Sequence, residues 1–147
     1  MFRPIPRARH LLSVEQVDGE SRGQEQRWRL AMHTTEIPRD HWEPYLAGFS
    51  REHQGEHVIV ELLGTDLGHQ PELRDVPLLG VTFDTKRSDG EAIEVMAGDS
   101  PAANAMHIVA KPVRMLVAIS DEGADQALEI ESLEGPTTLL RFAPGQA

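Results

Sequence analysis

The stretch that decides the fold is residues 40–63, DHWEPYLAGFSREHQGEHVIVELL, because its hydrophobic period changes at Gly55. Four apolar residues before that glycine have the spacing i, i+3, i+4, i+7 of one helix face: Trp42, Tyr45, Leu46 and Phe49. After the glycine, apolar residues recur at every second position, which is the period of a β-strand. The stretch therefore predicts a helix over about Asp40 to His53 and a strand that begins just after it.

Local signals mark both ends of this helix. Asp40 and Glu43 have the spacing of a capping box, in which the Asp40 side chain accepts the amide hydrogen of Glu43. Pro44 falls in the first turn, where a missing backbone N–H costs least. Gly55 is a natural stop, because glycine readily adopts the left-handed conformation that ends helices. The aromatic stripe then needs a large apolar surface to pack against, and a sheet would supply it.

The chain from His57 onward reads as short strands separated by turns. Alternating apolar residues mark the strands: Val58, Val60 and Leu62; Leu79, Val81 and Phe83; Ile93, Val95 and Ala97; Met106 to Ile119, bent or broken at Lys111-Pro112; Leu128 and Ile130; and Thr137 to Phe142. Ser88-Asp89-Gly90 has the composition of a hairpin turn. We therefore predict an α+β, mainly β fold, in which one N-terminal amphipathic helix packs on a small antiparallel β-barrel or roll of six to seven strands.

Charge divides the chain into two parts. Residues 1–31 hold six arginines and four acidic residues, a net charge of +2, and show no sustained hydrophobic period. Residues 32–147 hold eight basic and twenty acidic residues, a net charge of −12. We therefore predict a disordered or extraneous N-terminal extension over 1–31 and a single globular domain over 32–147. The alternative is an arm that folds back onto the acidic body through its arginines.

Composition excludes several classes of function and partner. The chain has no cysteine, which rules out disulfides, iron–sulfur clusters and thiolate zinc sites and suits a cytoplasmic location. No apolar run reaches the roughly 18 residues of a membrane span. A net charge of −10 disfavours nucleic acid, because phosphates attract Lys and Arg. We expect neither nucleic acid nor a membrane as a partner, and leave open a protein partner or a homo-oligomer.

One short motif has the form of a metal site. Residues 53–57, HQGEH, match the H-x-x-E-H pattern of inverted zinc peptidases. That pattern needs a continuous helix so that both histidines meet one ion, whereas here Gly55 lies inside it and a strand follows. We therefore expect His53 and His57 to straddle a helix–strand junction, to point apart and to be exposed.

Other polar candidates have simpler structural explanations. His107, between Met106 and Ile108, is expected on the solvent face of a strand. Three acids beside Gly123 could hold calcium, but turn chemistry explains them better: Asp121, Glu122 and Asp125. Five glutamates could form an acidic patch, which we expect to be a solvated sheet face: Glu91, Glu94, Glu129, Glu131 and Glu134. Nucleophile elbows and phosphate-binding loops are absent, so no catalytic residue, metal ligand or cofactor is predicted.

Several segments together carry a family resemblance. They are residues 35–40 (TEIPRD) with Trp42, residues 49–53 (FSREH), residues 60–64 (VELLG) and residues 121–132 (DEGADQALEIES). In these segments the chain resembles a small bacterial family known only as a domain of unknown function, number 5335. The resemblance covers about Met32 to Phe142. It implies no catalytic residues, because the family carries no established activity.

Three functions compete on this sequence. The leading hypothesis is a non-enzymatic module that binds a protein partner or itself, because catalytic signatures are absent and a sheet presents edges. The alternative is a small ligand-binding barrel or an enzyme with a dispersed site, its cavity lined by Phe83, Met96, Met106 and Met115. A third hypothesis is metal storage or sensing through histidine and carboxylate groups. Whether the protein is an enzyme is left uncertain, with the balance against it.

Overall fold

The computed structural model describes residues 32–64 and 68–143, which contain one α-helix and eight strands. The strands are β1 (Met32–Glu36), β2 (His57–Gly64), β3 (Gly68–Asp84), β4 (Ala92–Ser100), β5 (Ala103–Ala110), β6 (Pro112–Ser120), β7 (Asp125–Ser132) and β8 (Thr137–Phe142). A short 3-10 turn (Arg39–His41) leads into helix α1 (Trp42–His53), and both lie between β1 and β2. The predicted disordered or extraneous extension comprises residues 1–31, which lie outside the described ranges.

The strands form one antiparallel sheet in the order β1-β6-β7-β8-β2-β3-β4-β5. Strands β1 and β5 stand at its two ends, and within the described ranges they do not pair with each other. The sheet is therefore open, and the predicted barrel or roll of six to seven strands is wrong. The helix is also not the N-terminal element, because β1 precedes it and pairs with β6.

The predicted strands omitted two segments that belong to the sheet, β1 and the first half of β3. Strand β1, with the sequence MHTTE, is short and mostly polar, so it shows no period of two. The first half of β3 contains Pro71 and Pro77, which lack the N–H that a ladder uses and read as loop residues. These prolines nevertheless lie opposite Glu61 and His57, and register shifts between Val58 and Ile59 and between Val60 and Glu61 interrupt the pairing with β2.

Strand β3 changes partner halfway along its length. Up to Pro77 it pairs with β2, and from Leu78 it pairs with β4, after a backbone turn at Asp75 with a φ of 59°. From Leu78 onward, the edge of β3 that no longer pairs with β2 contacts the end of α1 and the residues after it. There the Gly55 N–H donates to the Leu78 carbonyl, and the Leu78 N–H donates to the Glu56 carbonyl, both at 2.8 Å. The helix is thus fastened to β3 by backbone hydrogen bonds.

The predicted helix face is confirmed. Trp42, Leu46 and Phe49 are buried, and Tyr45 packs against the same core at partial burial. The Trp42 ring meets Phe83 edge to face at 5.1 Å between centroids. Sheet residues complete this core, among them Val58, Val60, Val81, Ile93, Val95, Met115, Val117, Leu128, Ile130 and Leu140.

The predicted start and end of the helix are confirmed, because helical structure runs from Arg39 to His53, whereas the predicted capping box is wrong. The helix ends at His53, and Gly55 has a φ of +90°. At the other end Asp40 falls in the 3-10 turn, and the residue before the helix, His41, makes no capping hydrogen bond with its side chain. Pattern alone could not distinguish the tight turn from the first turn of the α-helix.

Turn predictions further along the chain are confirmed. Gly90 closes the turn between β3 and β4 with a φ of +111°. Lys111 has a φ of +51° and separates β5 from β6, so the segment from Met106 to Ile119 is two strands. No helix within the described ranges is long and apolar enough to cross a membrane.

Candidate functional site

The end strand β5 has an unusual composition for an exposed sheet edge. Its sequence, ANAMHIVA, contains neither a charged residue nor a proline. Two large apolar side chains on it are exposed, Met106 at 45% and Ile108 at 41%. Exposed edge strands are normally protected by lysine, proline or a bulge, because unpaired backbone groups attract other strands. Strand β5 is therefore a candidate binding surface.

The hydrogen-bond ladder shows which backbone groups of β5 are available. The Lys111 N–H donates to the Glu91 carbonyl at 3.1 Å, at the end of the β4–β5 register. Because inward and outward backbone groups alternate along an antiparallel strand, this bond sets the direction of every residue before it. The Ala110 carbonyl fits that alternation, since it points away from β4 and accepts from Ser132 Oγ at 2.8 Å. The residues that direct N–H and C=O to the open side are Asn104, Met106 and Ile108.

A glycine holds the β4–β5 hairpin close. Gly98 has a φ of +153°, and a Cβ added there would lie 2.5 Å from the Asn104 Cα and 2.6 Å from the Ala103 carbonyl oxygen. Only glycine allows this approach of β4 to the start of β5. The exposed edge is thus positioned by a tight backbone contact at its first residues.

The inner side of β5 borders a groove of about 550 Å³. Its lining includes Leu62, His107, Lys111, Glu134 and Thr138. His107 Nε2 lies 2.9 Å from Thr138 Oγ1, and burial lowers the pKa of this histidine, an effect that the charge of Glu72 opposes. The expectation that His107 faces solvent is therefore wrong. The exposed apolar side chains of this strand are Met106 and Ile108.

Within the described ranges, the four residues predicted to line a ligand cavity do not come together around one. Among its four predicted lining residues, Met115 is fully buried in the core while Met106 is exposed on the edge strand. None of the four lines the groove beside β5. Charge in that groove is already paired, because Lys111 Nζ lies 3.4 Å from Glu134 Oε1. The geometry thus gives little support to a ligand-binding barrel.

His53 lies in the last turn of α1 between two carboxylates. Its Nδ1 is 3.2 Å from Glu56 Oε2, and its Nε2 is 2.8 Å from Asp125 Oδ2. The side chain is only 9% exposed and contacts the rings of Phe49 and Phe142 at 4.7 Å between centroids. Burial lowers the pKa of His53, but the hydrogen bonds with Asp125 and Glu56 and their charges outweigh it and raise the pKa overall.

The H-x-x-E-H motif does not converge, as predicted. His57 Nδ1 pairs with Asp75 Oδ1 at 2.9 Å, whereas His53 pairs with Asp125. The expected exposure is right for His57, whose side chain is 43% exposed, and wrong for His53. Sequence reasoning missed the role of Asp125, because this partner is 72 positions away and had been explained by turn chemistry.

The turn between β6 and β7 is otherwise as predicted. Asp121 and Glu122 are exposed, and Ser120 holds the turn by accepting the Ala124 N–H on its side-chain oxygen at 3.1 Å. The Gly123 N–H donates to the Ser120 carbonyl at 2.9 Å. These two acids take no part in the contact between Asp125 and His53.

The predicted solvated acidic face is wrong at its centre. Glu129 is fully buried between Leu116 of β6 and Leu139 of β8, and neither carboxylate oxygen has a hydrogen-bond partner within the described ranges. Burial raises the pKa of Glu129 to about 8, the charge of Glu131 adds to the rise, and Arg114 opposes it. Both faces of β7 are buried in the middle of the strand, whereas the alternation of apolar residues with glutamates predicted that one face is exposed to solvent.

The remaining members of the predicted patch are paired with basic residues. These pairs are Glu91 with Arg39, Glu94 with Arg87 at 3.2 Å, Glu131 with Arg114 at 3.9 Å and Glu134 with Lys111 at 3.4 Å. The glutamates therefore serve separate ion pairs and do not form one acidic surface.

Comparisons with known proteins agree with the sequence resemblance. A family model described as "Family of unknown function (DUF5335)" matches residues 33–147. An uncharacterised protein of Aquifex aeolicus (strain VF5) is 26% identical over 113 residues, which cover 77% of this chain and 95% of that protein. No solved structure matches the chain. Because the family model spans more than half of the sequence, the chain belongs to the DUF5335 family, whose function is unknown.

Proposed function

We propose that this protein is a self-associating module in which β5 of one copy pairs with β5 of a second copy. The observation that carries the proposal is the outward backbone of Asn104, Met106 and Ile108 on an uncharged edge strand. Addition of a strand to a sheet edge gives a partner N–H and C=O groups to bind and extends the ladder without rearrangement of the fold.

The other end of the sheet is less suited to such pairing. Strand β1 has five residues against eight in β5, and its last residue, Glu36, is charged and lies 3.5 Å from Arg114. A charged residue at an edge disfavours the approach of another acidic chain. Strand β5 is therefore the better docking strand of the two.

The proposed partner is a second copy because β5 complements itself. An antiparallel pair centred on Met106 places this residue opposite its own copy and places Asn104 opposite Ile108. Each of these outward residues would form a hydrogen-bonded pair, giving on the order of six backbone hydrogen bonds about a two-fold axis. The chain carries a net charge of −10, so an uncharged strand lets two copies meet without like charges at the contact.

The experiment is a proline substitution that removes one outward N–H of the full chain. In Ile108→Pro the lost N–H does not serve the β4–β5 ladder, so the fold is expected to persist while the dimer is lost. Ile108→Val, which keeps the N–H and an apolar side chain, is the matched control and is expected to dimerise. Mass is measured by light scattering or sedimentation at increasing concentration, with circular dichroism as the check on folding.

A second variant guards against misfolding of the proline variant. Met106→Lys would place two lysines opposite each other across the two-fold axis, so we expect dimerisation to weaken. A wild-type chain that stays monomeric at high concentration contradicts the proposal. Dimers that persist in both variants would contradict it as well, because association would then use another surface.

A further inference from the structure

We propose that Glu52, His53 and Asp125 form a binding site for a divalent transition-metal cation of the zinc or manganese class. One ligand atom from each of the three residues lies within 4.8 Å of the other two. Glu52 and His53 come from the last turn of α1, and Asp125 is the first residue of β7. The site uses only the first histidine of the H-x-x-E-H motif, because the second, His57, pairs with Asp75.

His53 is already oriented as a metal ligand. Its Nδ1 lies 3.2 Å from Glu56 Oε2, which holds the proton on that nitrogen and directs Nε2 toward Asp125. Metal-binding histidines commonly donate their second ring N–H to a carboxylate in this way, and the contact fixes the tautomer and the ring plane. In this arrangement Glu56 is a positioning residue and does not contact the ion.

The surroundings combine a buried histidine with access from solvent. The side chain of His53 is 9% exposed and that of Asp125 is 18% exposed, while Glu52 is exposed at the surface of the helix. The rings of Phe49 and Phe142 flank the imidazole at 4.7 Å and exclude water from one side. Two carboxylates and a neutral imidazole bring a charge of −2, which a divalent cation would neutralise.

An independent observation at the same place is the hydroxyl of Tyr45. Its oxygen is buried and has no hydrogen-bond partner within the described ranges. Its ring centroid lies 6.0 Å from that of Phe49, whose ring in turn contacts the His53 imidazole. A water molecule bound to the cation would give the buried hydroxyl the partner that it lacks.

The donor set indicates the class of ion. One imidazole nitrogen and two carboxylate oxygens suit zinc, manganese and iron, whereas calcium needs six to eight oxygens and magnesium keeps most of its water. Zinc is expected to bind more tightly than manganese, following the general order of divalent affinities.

The test is calorimetric titration of the chelator-treated full chain with zinc chloride and with manganese chloride. We expect one zinc ion per chain and weaker binding of manganese. Calcium and magnesium chlorides are expected to give no heat above dilution.

Variants in exposed residues keep the test independent of folding. Glu52→Gln removes a ligand at the surface of α1 and should weaken zinc binding at least about tenfold. The matched control is Glu43→Gln, which makes the same exposed change in the first turn of the same helix and should leave binding unchanged. Glu56→Gln is expected to weaken binding by about 10- to 100-fold through loss of ring orientation, together with a change in the His53 ring nitrogen shifts in NMR spectra.

Two outcomes overturn this proposal. One is a wild-type chain that binds no zinc, and the other is equal binding by Glu52→Gln and Glu43→Gln, which would assign the ion to other side chains. Neither outcome bears on self-association through β5, because the two surfaces share no residue.

Discussion

His53 Nε2 lies 2.8 Å from Asp125 Oδ2, and this contact joins the last turn of α1 to the first residue of β7. The other hydrogen bonds at the end of α1 join it to β3, which lies in the opposite half of the sheet from β7. The pair therefore links two parts of the sheet that are far apart in strand order. A charged hydrogen bond between groups that are largely shielded from water contributes more than an exposed ion pair.

Loss of the Asp125 carboxylate is expected to lower both the pKa of His53 and the stability of the metal-free protein. The folded-state pKa of His53 is raised, so its stabilising effect is complete below about pH 6.5 and is lost as pH rises through the folded-state value. Asp125→Asn should therefore cost about 1–3 kcal/mol at pH 6 and less at pH 9. Urea unfolding with chelator present and an NMR titration of His53 measure both effects. A His53 pKa that is the same in the variant and the wild type would contradict this assignment.

Glu129→Gln is expected to stabilise the protein at alkaline pH. The carboxyl has a pKa of about 8 in the fold against 4.5 in its ordinary state, so the folded chain binds the extra proton between these values. Wild-type stability should fall as pH rises from 4.5 to 8 and then level off. The neutral amide avoids this loss and should gain on the order of 2–4 kcal/mol at pH 8, with little difference at pH 4.

The control for this change is Glu134→Gln, which removes the same charge from an exposed side chain. Urea unfolding of both variants across pH 4–9 separates burial from net charge. If the two variants show the same pH dependence, Glu129 is not protonated by the fold.

Ser50→Ala should destabilise the junction between α1 and β3. Ser50 Oγ accepts the Val81 N–H at 2.8 Å and donates to the Val81 carbonyl at 2.9 Å. This side chain thus provides the hydrogen bonds that a neighbouring strand would otherwise make with Val81. Alanine leaves both buried backbone groups unpaired, at a cost of about 1–3 kcal/mol. Chemical unfolding measures the difference against Ser88→Ala in the exposed turn before β4. Equal stabilities of the two variants would show that the hydroxyl makes no net contribution.

Gly98→Ala should destabilise more than Gly90→Ala. Both glycines have a positive φ, but an added Cβ meets nothing within 4 Å at Gly90 and would overlap the backbone of β5 at Gly98. Strain at a positive φ costs about 1–3 kcal/mol, and the overlap adds to it only at Gly98. Thermal unfolding compares the two variants. Self-association should also weaken in Gly98→Ala, because the overlap shifts the first residues of β5. The same loss of stability at both positions would argue against a close contact between Gly98 and β5.

Local pattern predicted the elements whose burial has one clear period. The helix face around Trp42 and the stop at Gly55 follow from spacing and from the conformational freedom of glycine. Strands β2 and β4 alternate apolar residues toward one core, so their positions could also be predicted. Each of these elements buries one side against the core, and a local sequence records that directly.

The candidate binding edge lay partly within reach of sequence reasoning. An uncharged segment from Ala103 to Ala110 is visible in the sequence and is typical of an exposed pairing strand or a buried one. Which of its faces is outside depends on whether Met106 or His107 points to the core. The structure shows that His107 points inward, because its Nε2 lies within hydrogen-bond distance of Thr138 Oγ1 in the groove beside β8.

The sequence by itself determined the helix, its end, most of the strands and the family, because neighbouring residues or short segments carry those signals. Only the tertiary structure decided that β1 and the proline-containing half of β3 join the sheet, that the sheet stays open, that Glu129 is buried and that His53 meets Asp125. These features depend on pairing between residues far apart in the chain. Such pairings are selected by the energy of the whole assembly, which no local period records.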